Sequence, residues 1–155
     1  MKRVVITGMG AVSPLGNDVQ TFWNNLVSGK SGAARITRFN PELFRTQFAC
    51  EVKDFNAADF LDKGDIRKTD LFNQYALAAA GQAIKESGFD MEKINPLDVG
   101  VIIGCGQGGM QTFEDQVKEY AANNFNPRFS PFFVTKLISN MAPGLLSIKY
   151  GFMGI

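Results

Sequence analysis

The 155-residue sequence contains no histidine. That absence excludes an imidazole general base, a Ser-His or Cys-His nucleophile pair and any histidine metal ligand. Chemistry performed by this chain alone would fall to carboxylates, Lys, Tyr, Cys or Ser. Cysteine is nearly as scarce. Cys50 and Cys105 are too few for a disulfide framework and show no metal-ligand spacing, so reduced thiols in a cytoplasmic protein are expected. Long apolar runs are missing as well. Val4–Ile6 is too short for a signal-peptide core, and nothing approaches the ~20 apolar residues that span a bilayer. Neither sign of charge dominates: 16 Lys and Arg face 15 Asp and Glu, which provides no global attraction to nucleic acid or membrane. No metal or other cofactor is called for.

What is present is the balance of a globular domain, 45% apolar and 20% charged. Arg3–Thr7 is a short β-branched run ending in Gly8 and reads as a buried strand. After the turn GMGAVSPLGND, Asn17 or Asp18 can cap a helix. Its apolar positions Val19, Phe22, Trp23, Leu26 and Val27 form one stripe, and Gly29 stops it. Ser31–Asp70 has no sustained period. Its aromatics (Phe39, Phe44, Phe48, Phe55, Phe60) predict loops and short elements packed onto a larger body. Asp70–Ser87 is an alanine-rich helix stopped by Gly88, and its small residues predict close approach to a neighbour. Val99–Ile103 reads as a second buried strand leading into GCGQGG, followed by a helix over Thr112–Ala122. Apolar positions from Val134 to Leu146 predict a last helix, which Pro143 should bend or deprive of a hydrogen bond near Ser139.

This order implies α/β architecture, yet two strands do not make a covered sheet. The sheet is expected to be unfinished within these residues. Gly8-Met9-Gly10 between a strand and a helix admits a dinucleotide-binding reading, but Ser13 replaces the third glycine and Pro14 follows. Structural turn glycines are the favoured alternative. GCGQGG lacks a following Lys-Ser or Lys-Thr, which favours a role in shape over one in phosphate binding. Cys105 has no nearby base or cation in sequence to lower its thiol pKa, and both cysteines read as small buried apolar residues. Lys63, Arg67 and Lys68 lie in a mixed-charge segment. It is either a solvated helix start or a dock for an acidic partner.

Taken in order, several segments resemble the β-ketoacyl-acyl-carrier-protein synthases of the elongating type. They are RVVITGMGAVSPLGN at 3–17, SGKSG at 28–32, FNPELFRTQFACEVKDFN at 39–56, IRKTDLFNQYALAAAGQAI at 66–84, VGVIIGCGQGGMQ at 99–111 and SPFFVTKLISNMAPGLLSIKYG at 130–151. The resemblance implies a thiolase-like layered αβαβα fold, usually homodimeric, of which residues 1–155 supply an incomplete N-terminal half. It implies a decarboxylating Claisen condensation between an acyl-enzyme thioester and malonyl-acyl-carrier protein. The family's nucleophilic cysteine would follow Tyr150-Gly151-Phe152-Met153-Gly154, and its histidines belong to the second half, so no catalytic residue is assigned here and the chain alone is expected to be inactive. Met153 and Ile155 depart from the R-G-P that commonly follows the tyrosine-glycine pair. By the same resemblance Gln107 takes the position that gates the acyl pocket, where an apolar residue is usual in the elongation enzyme. Phe132, Phe133 and Val134 would line the pocket's far end near the dimer interface. Lys63, Arg67 and Lys68 would meet the acidic acyl-carrier protein. A non-catalytic partner subunit of the chain-length-factor type is the alternative.

Overall fold

A computed structural model describes residues 3–155. Six α-helices are named in chain order: α1 (Val19–Val27), α2 (Lys63–Lys68), α3 (Leu71–Ser87), α4 (Met110–Ala122), α5 (Phe133–Leu137) and α6 (Met141–Tyr150). Between α1 and α2 lies a short antiparallel hairpin. Its strands β1 (Ala34–Arg35) and β2 (Phe48–Ala49) pair Ala34 with Ala49 and Arg35 with Phe48. Single 3-10 turns at Ala57–Asp59 and Pro96–Asp98 complete the regular structure.

The core forms where α3 crosses α6. Leu61, Leu77 and Leu146 are buried together, with Phe60, Ile66, Val101, Ile103, Leu145 and Tyr150 packed around them. Close approach on α3 follows from its small residues, as expected. Gly81 stands at the Tyr150 ring, where an added Cβ would lie 3.2 Å from the hydroxyl. On its other side α3 meets the first turn of the chain. A Cβ at Gly8 would sit 2.1 Å from the Ala83 carbonyl oxygen, and one at Gly10 would sit 1.8 Å from that of Ala79. No side chain fits there, so these are glycines of close packing. One face of α3 then grips the turn by hydrogen bonds. Glu86 accepts from the Met9 amide, Gln82 accepts from the Ala11 amide at 3.1 Å, and the Gln82 side chain donates to the Asn17 carbonyl at 2.8 Å.

Several helix boundaries have local causes. Asp18, not Asn17, caps α1 by accepting from the Thr21 amide, and that bond holds its carboxyl below the ordinary range. Asp62 caps α2 through the Asp65 amide, with the same effect on its own carboxyl. Pro143 does not bend a continuous helix. The chain breaks at Ile138–Asn140 and starts afresh as α6, with Pro143 third in the new helix. Amides of the first turn have no intrahelical acceptor, so a proline there sacrifices no bond.

Two expected strands are not paired strands. Among the described residues, Arg3–Thr7 takes part in no ladder, and Val4 and Ile6 are 94% and 84% exposed. In Val99–Ile103 the side chains alternate: Val101 and Ile103 face the core, and Ile102 is 95% exposed. Its start does gain a neighbour, because the Met153 amide donates to the Pro96 carbonyl and the Gly154 amide to that of Val99, each at 2.9 Å. β-branched composition supplies strand propensity, but a ladder needs a second backbone alongside, and no described segment lies along the rest of either run. The α1 stripe shows the same incompleteness. Trp23, Leu26 and Val27 remain about half exposed, and no α1 residue is buried. In the 31–70 excursion Phe55 stacks on Phe60 and meets Tyr75 of α3 edge-on, whereas Phe39, Phe44 and Phe48 stay largely exposed.

The contact at the first turn leads to a direct expectation. Gly10→Ala in the intact protein should cost about 1–3 kcal/mol by overpacking, read as a lower urea midpoint. An unchanged midpoint would remove close approach to Ala79 as the reason for glycine.

Candidate functional site

The Gly104–Gly109 loop connects the half-buried Val101–Ile103 run to α4. Its last two glycines press against the backbone of α5. A Cβ at Gly108 would fall 2.1 Å from the Leu137 carbonyl oxygen, and one at Gly109 would fall 2.0 Å from that of Lys136. The Gly109 amide donates to the Leu137 carbonyl at 2.9 Å. The shape role expected for this cluster is therefore realised at Gly108 and Gly109. The Cys105 sulfur accepts from the Gly108 amide at 3.3 Å, and the residue is half-buried rather than buried. Cys50 is exposed, contrary to the expectation of a buried apolar residue, and lies between the half-buried Ala49 and Glu51.

Asp70 locks the start of α4 in place. It precedes α3 but makes no side-chain cap there. Its carboxylate instead accepts from the Thr112 amide at 3.2 Å and from the Thr112 hydroxyl. That places a negative charge at the N-terminal turn of α4, where unpaired amides and the helix dipole favour it. Sequence spacing could not show this bond, since Asp70 and Thr112 lie 42 residues apart.

The resemblance-derived residues fall into two adjoining groups. Gln107 is exposed on the glycine loop, one residue ahead of the Gly108 contact with Leu137. Phe132 precedes α5, and Phe133 and Val134 open it. The Phe133 ring packs against Phe129 at 5.5 Å and Phe113 at 6.4 Å between centroids, while Val134 is 59% exposed. Lys63, Arg67 and Lys68 all lie on α2 and are exposed. Lys63 and Arg67 are one turn apart, which puts them on one face. The two groups meet. The Arg67 guanidinium carbon stands 5.5 Å from the centroid of the Phe132 ring. Next to it the Thr135 hydroxyl, which donates to the Phe132 carbonyl at 2.9 Å, lies 3.5 Å from the Lys68 carbonyl.

A groove of about 660 Å³ opens elsewhere, between the hairpin and α4, lined by Ile36, Phe39, Met110, Phe113 and Val117. Arg38 lies at its edge and donates to the Tyr75 hydroxyl at 3.0 Å. Glu51 holds the Arg38 segment by accepting from Thr37 and Arg38 amides. The Thr37 hydroxyl bond, above all, depresses its carboxyl's pKa. None of the resemblance-derived residues lines this groove, although Phe113 links it to Phe133. Its residues are scattered in sequence, and only the folded hairpin brings them together.

Comparison with known proteins agrees with this architecture. A profile for the β-ketoacyl synthase N-terminal domain matches residues 1–155. The 3-oxoacyl-[acyl-carrier-protein] synthase 2 of Coxiella burnetii is 50% identical over 155 residues, covering 99% of this chain and 37% of that protein. Two solved structures superpose well. The ishigamide ketosynthase/chain length factor has a TM-score of 0.82 and 25% identity, with 96% of this chain and 37% of the other covered. A type II PKS acyl-carrier protein in complex with its ketosynthase bound to the hexaketide gives 0.76 and 28%, covering 100% and 41%. The fold is thus the thiolase-like one of the ketosynthases. The chain spans between 37% and 41% of the lengths of these relatives. With the profile matched from end to end, this chain belongs to the β-ketoacyl synthase N-terminal domain family.

Proposed function

We propose that residues 1–155 are the N-terminal part of an elongating 3-oxoacyl-acyl-carrier-protein synthase that works as a cytoplasmic homodimer. The observation that carries this reading is the 50% identity, over 99% of the chain, to a protein of that name. In the complete enzyme an acyl group passes from the carrier's thioester to a cysteine thiolate, freeing the carrier thiol. The malonyl thioester then loses CO₂, and the resulting carbanion attacks the acyl-enzyme carbonyl, expelling the cysteine thiolate. That cysteine and the histidines lie outside this sequence, which holds no histidine. Among the described residues no helix is long and apolar enough to cross a membrane.

The part assigned to this chain is binding and shape. Phe132, Phe133 and Val134 on and before α5 form a wall of the acyl pocket, and Gln107 on the adjoining loop is its gate. A polar amide at the gate lowers the preference for long apolar chains, since an apolar chain passing it must strip water from an amide left without a partner. Lys63, Arg67 and Lys68 receive the acidic face of acyl-carrier protein. A ketosynthase of similar fold has been captured with its carrier protein, which supports that partner.

Two measurements test this. The complete protein, given acyl- and malonyl-carrier protein, should release CO₂ and form the 3-oxoacyl product, whereas the 155-residue chain should form no acyl-enzyme. A complete protein that releases none, yet binds an active ketosynthase, would be a chain-length-factor partner instead. Replacing Arg67 and Lys68 together with Glu in the complete protein should weaken carrier binding roughly ten-fold at low salt, about 1.4 kcal/mol. The loss should shrink above ~0.3 M salt, where screening is strong. An unchanged dissociation constant at low salt would remove α2 from the interface.

A further inference from the structure

The contact between Arg67 and Phe132 joins two features that the proposed function uses separately. The guanidinium lies 5.5 Å from the ring centroid, within the range of a cation–π interaction, and Arg67 is exposed to solvent. Phe132 leads into α5, a single turn of five residues with no side-chain cap. So short a helix cannot hold itself. Its position depends on what touches it: Arg67 at the start, the Lys68 carbonyl 3.5 Å from the Thr135 hydroxyl, the Phe113 and Phe129 rings on Phe133, and the glycine loop at the end. At that end the contact is backbone on backbone, with Gly108 and Gly109 against the Leu137 and Lys136 carbonyls and the Gly109 amide bonded to Leu137. No side chain intervenes to absorb a shift. A displacement of α5 by a few tenths of an ångström must therefore be followed by Gly108, and Gln107 is its direct neighbour.

Resting on the assignment of α2 as the carrier dock and Gln107 as the pocket gate, we propose that the Arg67–Phe132 contact couples carrier docking to the gate loop. In the free protein the guanidinium rests on the ring and holds the start of α5. An acidic group on the docked carrier offers a stronger partner, because a bidentate charge-assisted bond outcompetes an exposed cation–π contact. Arg67 then leaves the ring, α5 loses the restraint at its start, and the Gly108–Gly109 segment at its other end shifts with it. Docking thus alters how the gate treats the incoming chain before the chain arrives. The linkage is reciprocal: a chain that displaces the gate loop changes carrier affinity by the same factor.

A double-mutant cycle in the complete protein tests this, with Arg67→Gln and Phe132→Leu. Its readouts are the dissociation constant of carrier protein without an acyl chain and the ratio of acylation kcat/KM for a short and a long acyl-pantetheine thioester, which brings no carrier to the dock. Phe132→Leu should tighten carrier binding about two- to five-fold by freeing the guanidinium, and Arg67→Gln should weaken it. Arg67→Gln should shift the short-to-long ratio in the parent and leave it unmoved in the Phe132→Leu background. Phe132→Tyr, which keeps a ring face, should behave as the parent does. Equal shifts of the ratio in both backgrounds would overturn the coupling and leave the dock intact. Carrier binding indifferent to both substitutions would overturn the dock as well. Without any variant, binding of the carrier should speed hydrogen exchange at the Gly109 amide, and unchanged exchange there would also defeat the coupling.

Discussion

Backbone laid directly on backbone is the contact from which the rest of this structure is organised. Helix α3 presents Ala79 and Ala83 to the first turn of the chain, and Gly8 and Gly10 rest on their carbonyls with no room for a methyl group. On the opposite side its leucine and alanine positions form the buried seam with α6. Where the first turn presses closest, α3 presents the small residues Ala79 and Ala83, and Gln82 and Glu86 beside them hold the amides of Ala11 and Met9. Asn73, elsewhere on α3, is fully buried and its side-chain amide has no partner within the described residues.

The same contact recurs at α5. Gly108 and Gly109 press on α5 as Gly8 and Gly10 press on α3, and Asp70 fixes the distance between them by capping α4 from the start of α3. Gln107, the Phe132–Val134 segment and α2 are consequently parts of one packed unit. Arg67 on Phe132 is where its charged surface touches its apolar interior. A carrier protein that binds by charge and delivers an apolar chain would engage both ends of this unit in turn.

What the sequence made legible was whatever is decided locally. Asn17-Asp18 followed by an amphipathic stripe marked α1, and the alanine run ended by Gly88 marked α3, whereas the apolar spacing from Val134 to Leu146 hid the break between α5 and α6. Arg3–Thr7 and Val99–Ile103 have strand composition but lack a ladder, because pairing is decided by a second segment and not by the run itself. The hairpin at Ala34 and Ala49 was hidden for the related reason that two-residue strands leave no period to read. The collinear motifs singled out Gln107, Phe132 and Arg67 individually. Their contacts, and the bond from Asp70 to Thr112, join residues distant in sequence and became visible only with the fold.

Amide hydrogen exchange on the intact protein tests most directly whether α3 is the post against which the glycine turns are seated. Among the residues of this chain, the amides of α3 from Leu77 to Ala83 should exchange slowest, with α6 next. The hairpin and α4, which have no buried residue at their centres, should exchange much faster. Exchange in α3 as fast as in α4 would contradict the account, because the helix would then be opening independently of the turns it is held to support.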